Sequence, residues 1–546
     1  MEVVKMIVRQ VSKTAGGKMG KVSVTFEGEG IERMTGGGGG GGGEDGKKGE
    51  GGGGVKWTVK KGLDILDSLT AEIKMVELPL RVEGVVGVGE ALRGTDVWTP
   101  QIDGEGKEGG KLGEKVYGTI NHEPIEVLIK IENSRKWPTE IRALNESGIA
   151  FLIKIAAGLC GRITGTGWGT CVLVERCGVT WKLLLERSRE IKILTDLTNR
   201  TAEEEKAMTW LDLNAGGKRV AHHTFVHGLG TGKGSYGNAV RIMRRWCQAN
   251  MMGNLIPTSV IELLVARVYG AGKGTPEPPS SAAMGVYLTL KMLATFPFDT
   301  QPMVVDPRQH FNKEDLEIIQ DDFDRSRRLG GRVDELWIVA GYDQKEVYTD
   351  KGVGKVFEPS FSQGVEKVAV NRVRALARTA VKHVLEEDSW SKAFSTTRKN
   401  LRAFDVVLKV DGMFVIDKHA DSLKGDFEVG TWKRSMEARR KGYKKLRRVA
   451  YKNIKQPSPV AFNPVDSYVK SLEARFGDLA IFMYNRDAPT VIGIVVRPGI
   501  KGKMNFQANR LKFRMVKGDK VEFNMEEFKD TIVREGGGLI ESGVIN

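Results

Sequence analysis

Apolar residues at helical spacing (Val469, Leu472, Phe476) are followed by two nearly unbroken apolar runs, Leu479 to Phe482 and Val491 to Val496. This pattern predicts a helix with one buried stripe, then two strands covered on both faces. Asn463-Pro464 supplies the helix entry, the polar residues 485–489 turn the chain, and Pro498 ends the second strand. Read the same way, the first part of the chain predicts helices over 63–74 and 139–159. Strands follow at 80–88 and 125–131, with a hairpin at 170–175 and 180–186 that turns at Gly178. Helices then dominate, at 239–249, 258–269, 283–295 and 365–384. Strands return at 404–410 and 413–416.

These shifts divide the chain into an α/β region (1–234), a helical region (235–393) and a C-terminal α/β region (394–546). The glycine tracts 36–43 and 51–54 mark an insertion over 35–54 that cannot bury a core. Residues 104–113 and 273–281 are expected to be further surface loops. A length of 546 residues suits three or four domains of about 150 residues each, and 40% hydrophobic residues suffice for their cores. Residues 149–160 form the best apolar run, but Lys154 interrupts it and it falls short of the roughly 18 residues that a span needs, so no membrane is expected. No signal-peptide core follows Met1, and four cysteines suit a reducing compartment. A net charge of +15 favours a polyanionic partner.

That charge concentrates between Trp432 and Lys455. Lys433, Arg434, Arg439, Arg440, Lys441, Lys444, Lys445, Arg447, Arg448 and Lys452 stand there with Glu437 as the one acid and Tyr443 and Tyr451 interleaved. Phosphates would relieve the self-repulsion and the tyrosines could stack on unpaired bases, so these residues are the candidate RNA contacts. A solvated helix face or a nuclear-import signal is the plainer alternative. Lys501, Lys503, Arg510, Lys512 and Arg514 form a weaker patch, and Arg241, Arg244 and Arg245 flank a core-facing helix stripe. Gly228 to Ser235 fails as a phosphate-binding loop, since Gly234 follows Lys233, and is expected to be an interdomain loop. His222, His223 and His227 cluster without cysteines at zinc spacing, so no metal site is assigned. Cys160 and Cys247 read as buried thiols.

Three regions carry a family resemblance. The first is Phe462-Asn463-Pro464-Val465-Asp466, with Leu472-Glu473-Ala474-Arg475-Phe476-Gly477-Asp478 and the two strands after it. The second runs from Ile131-Glu132-Asn133-Ser134 through Lys136-Trp137-Pro138 to Ala150-Phe151-Leu152. The third comprises Val240 to Trp246, Ile261 to Ala266, Met303 to Asp306, Trp337 to Asp343 and Asn371 to Ala377. In this order they resemble the C-terminal half of the nucleolar RNA-associated protein (Nrap) family, whose members are longer, so the chain is expected to be a portion of such a protein. The resemblance implies a nucleotidyltransferase-like α/β domain, a helical domain like that of poly(A) polymerases and oligoadenylate synthetases, and a C-terminal α/β domain.

It also implies a non-catalytic scaffold of the small-subunit processome, located in the nucleus and nucleolus. The partners it implies are pre-ribosomal RNA, a ribosomal RNA processing protein and casein kinase two, with no cofactor. An active site of the ancestral type needs an acid-x-acid pair on one strand face and a third acid on a neighbouring strand. Asp322-Phe323-Asp324 has the spacing but reads as a solvated acidic face; Asp96 lacks a partner, and Glu126 and Glu132 stand too far apart. No catalytic residue is therefore assigned. An active terminal uridylyl- or adenylyltransferase is the alternative, and an RNA-binding protein outside ribosome assembly a third reading.

Overall fold

The structure is a computed structural model that describes residues 57–98, 100, 123–197, 201–270, 278–307, 310–328, 336–349, 352–386, 390–394, 401–412, 463–501, 504–505, 513–517 and 520–546. The predicted strand at 413–416 and the loops at 35–54 and 104–113 lie outside these residues.

Thr58 caps the first helix, α1 (Val59–Met75), by accepting from the Lys61 amide. Five strands follow: β1 (Val82–Gly87), β2 (Ile125–Ile131), β3 (Arg162–Thr164), β4 (Cys171–Arg176) and β5 (Val179–Leu185). They form one sheet in the order β1-β2-β5-β4-β3, parallel only between β2 and β5. Parallel pairing requires a crossover, and α2 (Ile141–Gly158) lies within it. Ile125, Val127 and Ile129 of β2 bury one sheet face with Leu69 and Ile73 of α1 and Leu152 and Ile155 of α2. Trp137 anchors the entry to α2, edge-on to Phe151 at 5.3 Å. The hairpin turns at Cys177-Gly178, both at positive φ, 54° and 75°. A two-residue turn matched to strand twist has this shape.

Three helices continue the chain: α3 (Ser188–Asp196), α4 (Ala202–Asn214) and α5 (Gly217–Gly232). The last corrects the expected loop, because α5 runs through Gly228 and Gly230. Val226 is fully buried, and Phe225 and Leu229 pack on the next core. Tertiary burial thus outweighs the poor helix propensity of glycine.

The helical region contains α6 (Tyr236–Ala249), α7 (Thr258–Tyr269), α8 (Ala282–Thr295), α9 (Lys313–Arg328) and α10 (Lys367–Glu386). Its core joins Val240, Met243 and Trp246 to Val260, Leu263, Leu290 and Ala377. It also holds the parallel pair β6 (Met303–Val305) and β7 (Ile338–Ala340), and the hairpin β8 (Gln344–Thr349) and β9 (Gly352–Phe357). Three-residue strands are too short for periodicity to reveal. Asp322-Phe323-Asp324 lies on α9, and Asp322 is buried, accepting from the Phe357 amide at 2.9 Å. It is no solvated acid, because it satisfies the backbone of β9. Nor can the pair converge on one point, since i and i+2 diverge on a helix.

The C-terminal region is built on β10 (Val406–Val410), α11 (Pro464–Phe476), β11 (Ala480–Tyr484) and β12 (Val491–Val496). Three short strands, β13 (Met504–Asn505), β14 (Arg514–Lys517) and β15 (Lys520–Phe523), precede α12 (Met525–Gly536) and β16 (Ile540–Ile545). The main sheet is antiparallel in the order β11-β12-β10-β16. Phe482, Ile494 and Val406 sit in register on the face covered by Leu472 and Phe476 of α11 and by Phe528 of α12. Ile481, Met483 and Phe404 instead join the helical core. That second cover explains the unbroken apolar pattern of β11 and β12.

Cys247 is buried, whereas Cys160 is exposed, correcting the expectation for that thiol. It lies just beyond α2 at a positive φ of 51°. Among the described residues, no helix is long and apolar enough to cross a membrane.

Gly493 faces the Phe404 ring, where a β-carbon would lie 2.5 Å from it. Gly493→Val should overpack this interface and cost about 1–3 kcal/mol. Urea unfolding followed by tryptophan fluorescence should show the loss; an unchanged midpoint would contradict the packing.

Candidate functional site

The site lies between the first sheet and the helical region. Alternation on β2 sends Glu126 and Leu128 to the face opposite α1 and α2, the spacing that an acid-x-acid pair requires. On β5, Lys182 pairs with Glu126 and Leu184 with Leu128. Val86, Leu128, Leu184 and Cys171 therefore make an apolar row, covered by Trp210 of α4 and Val220 of α5. Only Glu126 remains as a carboxylate on these positions. Lys182 reaches it at 2.9 Å, and Arg219 of α5 pairs with its other oxygen. Two cations thus occupy the charge that a divalent ion would neutralise. A two-metal centre needs several converging carboxylates, and among the described residues no group of three or more acidic, histidine or cysteine side chains is placed to hold a metal.

Beside this row, Glu262 of α7 is fully buried. Arg93 grips it with two hydrogen bonds, 2.7 and 3.1 Å long. Thr95 donates at 2.5 Å and His222 contacts the second oxygen at 2.8 Å. The other nitrogen of His222 meets the Tyr342 hydroxyl at 2.7 Å. Arg93 also donates to the Val88 carbonyl, and Tyr236 to the Glu262 carbonyl. Burial alone would raise the Glu262 carboxyl, but Arg93 and the His222 hydrogen bond hold it well below the usual range. Burial lowers His222 despite Glu262, so the imidazole is neutral and donates from Nε2.

Arg244 of α6 adds a second clamp, pairing with Glu90 at 2.8 Å and Asp96 at 3.6 Å and donating to the Thr95 carbonyl. Burial opposes its charge, yet Glu90 and Asp96 raise its guanidinium above its ordinary value. Arg241 bonds Asn238 and Arg245 lies over Trp98. The three arginines are thus engaged with protein groups.

Every candidate RNA contact from Lys433 to Lys452 lies outside the described residues. So do Lys503, Arg510 and Lys512 of the weaker patch, while Lys501 pairs with Asp405 at 2.6 Å. His222, predicted with His223 and His227 as a cluster, points instead to Glu262; His223 and His227 stack on each other at 5.9 Å. The Glu262 network was not predicted. Its trace in the sequence is one acid inside the apolar run Ile261 to Ala266, which demands a buried partner.

The fold and site define a protein with nucleotidyltransferase and poly(A) polymerase/oligoadenylate synthetase-like domains. Three family models match in order: Nrap nucleotidyltransferase domain 4 at 53–207, Nrap PAP/OAS1-like domain 5 at 233–404 and Nrap domain 6 at 401–543. The chain belongs to the Nrap family. It is 23% identical over 500 residues to U3 small nucleolar RNA-associated protein 22 of Schizosaccharomyces pombe, covering 87% of this chain and 40% of that protein. Nucleolar protein 6 of Homo sapiens is 23% identical over 509 residues, covering 85% and 40% respectively. The chain thus spans about 40% of the length of these relatives. Solved structures similar to it include the RNA terminal uridylyl transferase Cid1, at 8% identity and a TM-score of 0.36, covering 62% of this chain and 93% of that one.

Glu262 supports a pH test. Below 4.5 an unfolded glutamate protonates while the folded carboxylate stays ionised. Its contribution is present above that value and is lost as pH falls through the folded-state value. His222 acts in the same sense higher up, because the unfolded imidazole charges below 6.5 while the buried one stays neutral. Glu262→Gln strands the Arg93 charge and should cost about 3–5 kcal/mol at neutral pH. Its stability should also fall less steeply than the parent's below pH 4.5 in denaturant titrations. Parallel acid profiles would refute the assignment.

Proposed function

We propose that this chain is a non-catalytic scaffold of the small-subunit processome. It works in the nucleolus, binding pre-ribosomal RNA and protein partners during early small-subunit RNA processing. Family membership and the names of the relatives, nucleolar protein 6 and U3 small nucleolar RNA-associated protein 22, support the assembly and the compartment. The observation that carries the non-catalytic part is the single carboxylate Glu126, held by Lys182 and Arg219 beside Leu128. A metal-bound nucleotide would have to displace two cations from that carboxylate and, among the described residues, would still lack the second and third acids. The Glu262 and Arg244 clamps also bind the two sides of the cleft together. The basic stretch 432–455 suits the RNA role, and a ribosomal RNA processing protein and casein kinase two are the expected protein partners.

Sedimentation of the tagged chain from cell extract should place it in a very large particle, and sequencing of the co-purified RNA should recover ribosomal precursors. Migration as a small free protein would refute the scaffold. Primer extension with Mg²⁺ or Mn²⁺ and all four nucleotides should incorporate no label; incorporation would establish the uridylyl- or adenylyltransferase alternative.

A further inference from the structure

A β-sheet ends in two edge strands, and each leaves a row of backbone N–H and C=O groups without a strand partner. The two main sheets therefore have four edges: β1 and β3, and β11 and β16. Three of them are protected. β3 is three residues long, and β1 is broken by a register shift between Val82 and Gly84. β11 is buried throughout, and the Asn254 side chain donates to its Phe482 carbonyl at 2.8 Å. β16 differs. Its register shift lies at its start, where Ile540 pairs with Val410. From Ser542 to Asn546 it carries neither charge nor proline, and Ser542, Val544 and Asn546 are exposed.

The ladder fixes which backbone groups are free. Asn546 donates to the Asp405 carbonyl at 3.0 Å, and hydrogen-bonded pairs alternate along an antiparallel ladder. Ser542 and Val544 therefore turn their N–H and C=O groups toward β10, while Gly543 and Ile545 turn theirs outward. On one sheet face Met483, Gly493, Val407 and Val544 stand in register. Met483 is buried in the helical core and Val407 packs against that core, but Val544 is 57% exposed. The apolar row thus runs out of the core and stops at solvent. On the other face, Lys529 and Val533 of α12 overlie Gly543. Lys529 pairs with Glu526 and Asp530, both exposed, and Glu527 is exposed beside them. Arg534 lies one turn further along α12, and Glu541 is paired with Lys409. The start of α12 thus sets Glu526, Glu527 and Asp530 against Lys529 alone.

We propose that the free edge of β16 is a docking site for a protein partner, which adds an extended segment to the sheet as a further strand. The proposal rests on the scaffold reading above and names the chemistry of one partner contact. Backbone groups of the segment pair with those of Gly543 and Ile545 and supply the affinity. Side chains of a strand alternate between the two faces. On one face an apolar side chain continues the row beside Val544. On the other a basic side chain meets Glu526, Glu527 and Asp530. The edge therefore selects a segment in which apolar and basic residues alternate.

The test uses the whole chain and a fluorescent peptide of alternating valine and lysine, titrated by anisotropy. The peptide should bind and should slow hydrogen exchange at Gly543 and Ile545. The same peptide N-methylated throughout keeps its side chains and charge but has no backbone donor, and it should not bind. Val544→Lys places a charge on the exposed edge and leaves the pairing with β10 intact. Its thermal midpoint should match the parent's, while its affinity for the peptide should fall at least about tenfold. Val544→Ile should retain binding. The proposal is overturned if the methylated peptide binds equally well, if Val544→Lys binds as the parent does, or if the unmethylated peptide does not bind. Dimers of the parent chain that Val544→Lys abolishes would also overturn it, because the edge would then belong to a second copy. Specific peptide binding by a chain that sediments as a small free protein would keep the edge and remove the scaffold. Entry into the large particle without peptide binding would do the reverse.

Discussion

One buried carboxylate ties the first two regions together. Glu262 comes from a helix of the second region, and the groups that satisfy it come from the first: Arg93 and Thr95 from the turn after β1, and His222 from α5. A lone charge at this depth would be costly, and it is tolerated only because its oxygens are fully engaged. The relative placement of sheet and helices is therefore fixed by chemistry that neither region can complete alone. Arg244 repeats the device beside it. The second junction, with the C-terminal region, is mainly apolar, through Phe404, Ile481 and Met483, with Arg497 and Glu366 paired at its edge.

The same constraint shapes the ancestral site. A nucleotidyltransferase cleft must admit a nucleotide and two metal ions between its domains. In this chain the β2 and β5 positions that would face that cleft hold an apolar row and one carboxylate already paired with Lys182 and Arg219. The charges there are met within the protein: Glu126 by Lys182 and Arg219 inside the first region, and Glu262 by Arg93 across the junction with the second.

Much of the fold was legible because burial on a regular element leaves a period. The helical pattern over 139–159 announced α2, and the unbroken runs in β11 and β12 announced strands covered twice. Gly178 marked its hairpin turn by conformational need. Two of the misreadings depended on a distant partner and one on a local turn. Gly228 to Gly232 looked like a loop until Val226 and Leu229 were seen packed on the helical core. Asp322 looked solvated until the Phe357 amide was found against it. Cys160 looked buried from its apolar neighbours, but the chain turns outward just after α2.

The sequence alone determined most of the element types, their order and the family, because periodicity and motif order are local properties. Only the tertiary structure decided that Glu126 is held by Lys182 and Arg219. It alone decided that Glu262 joins two domains. Those facts depend on which residues meet across long separations in the chain, and a pairwise contact between distant positions leaves no period in a single sequence.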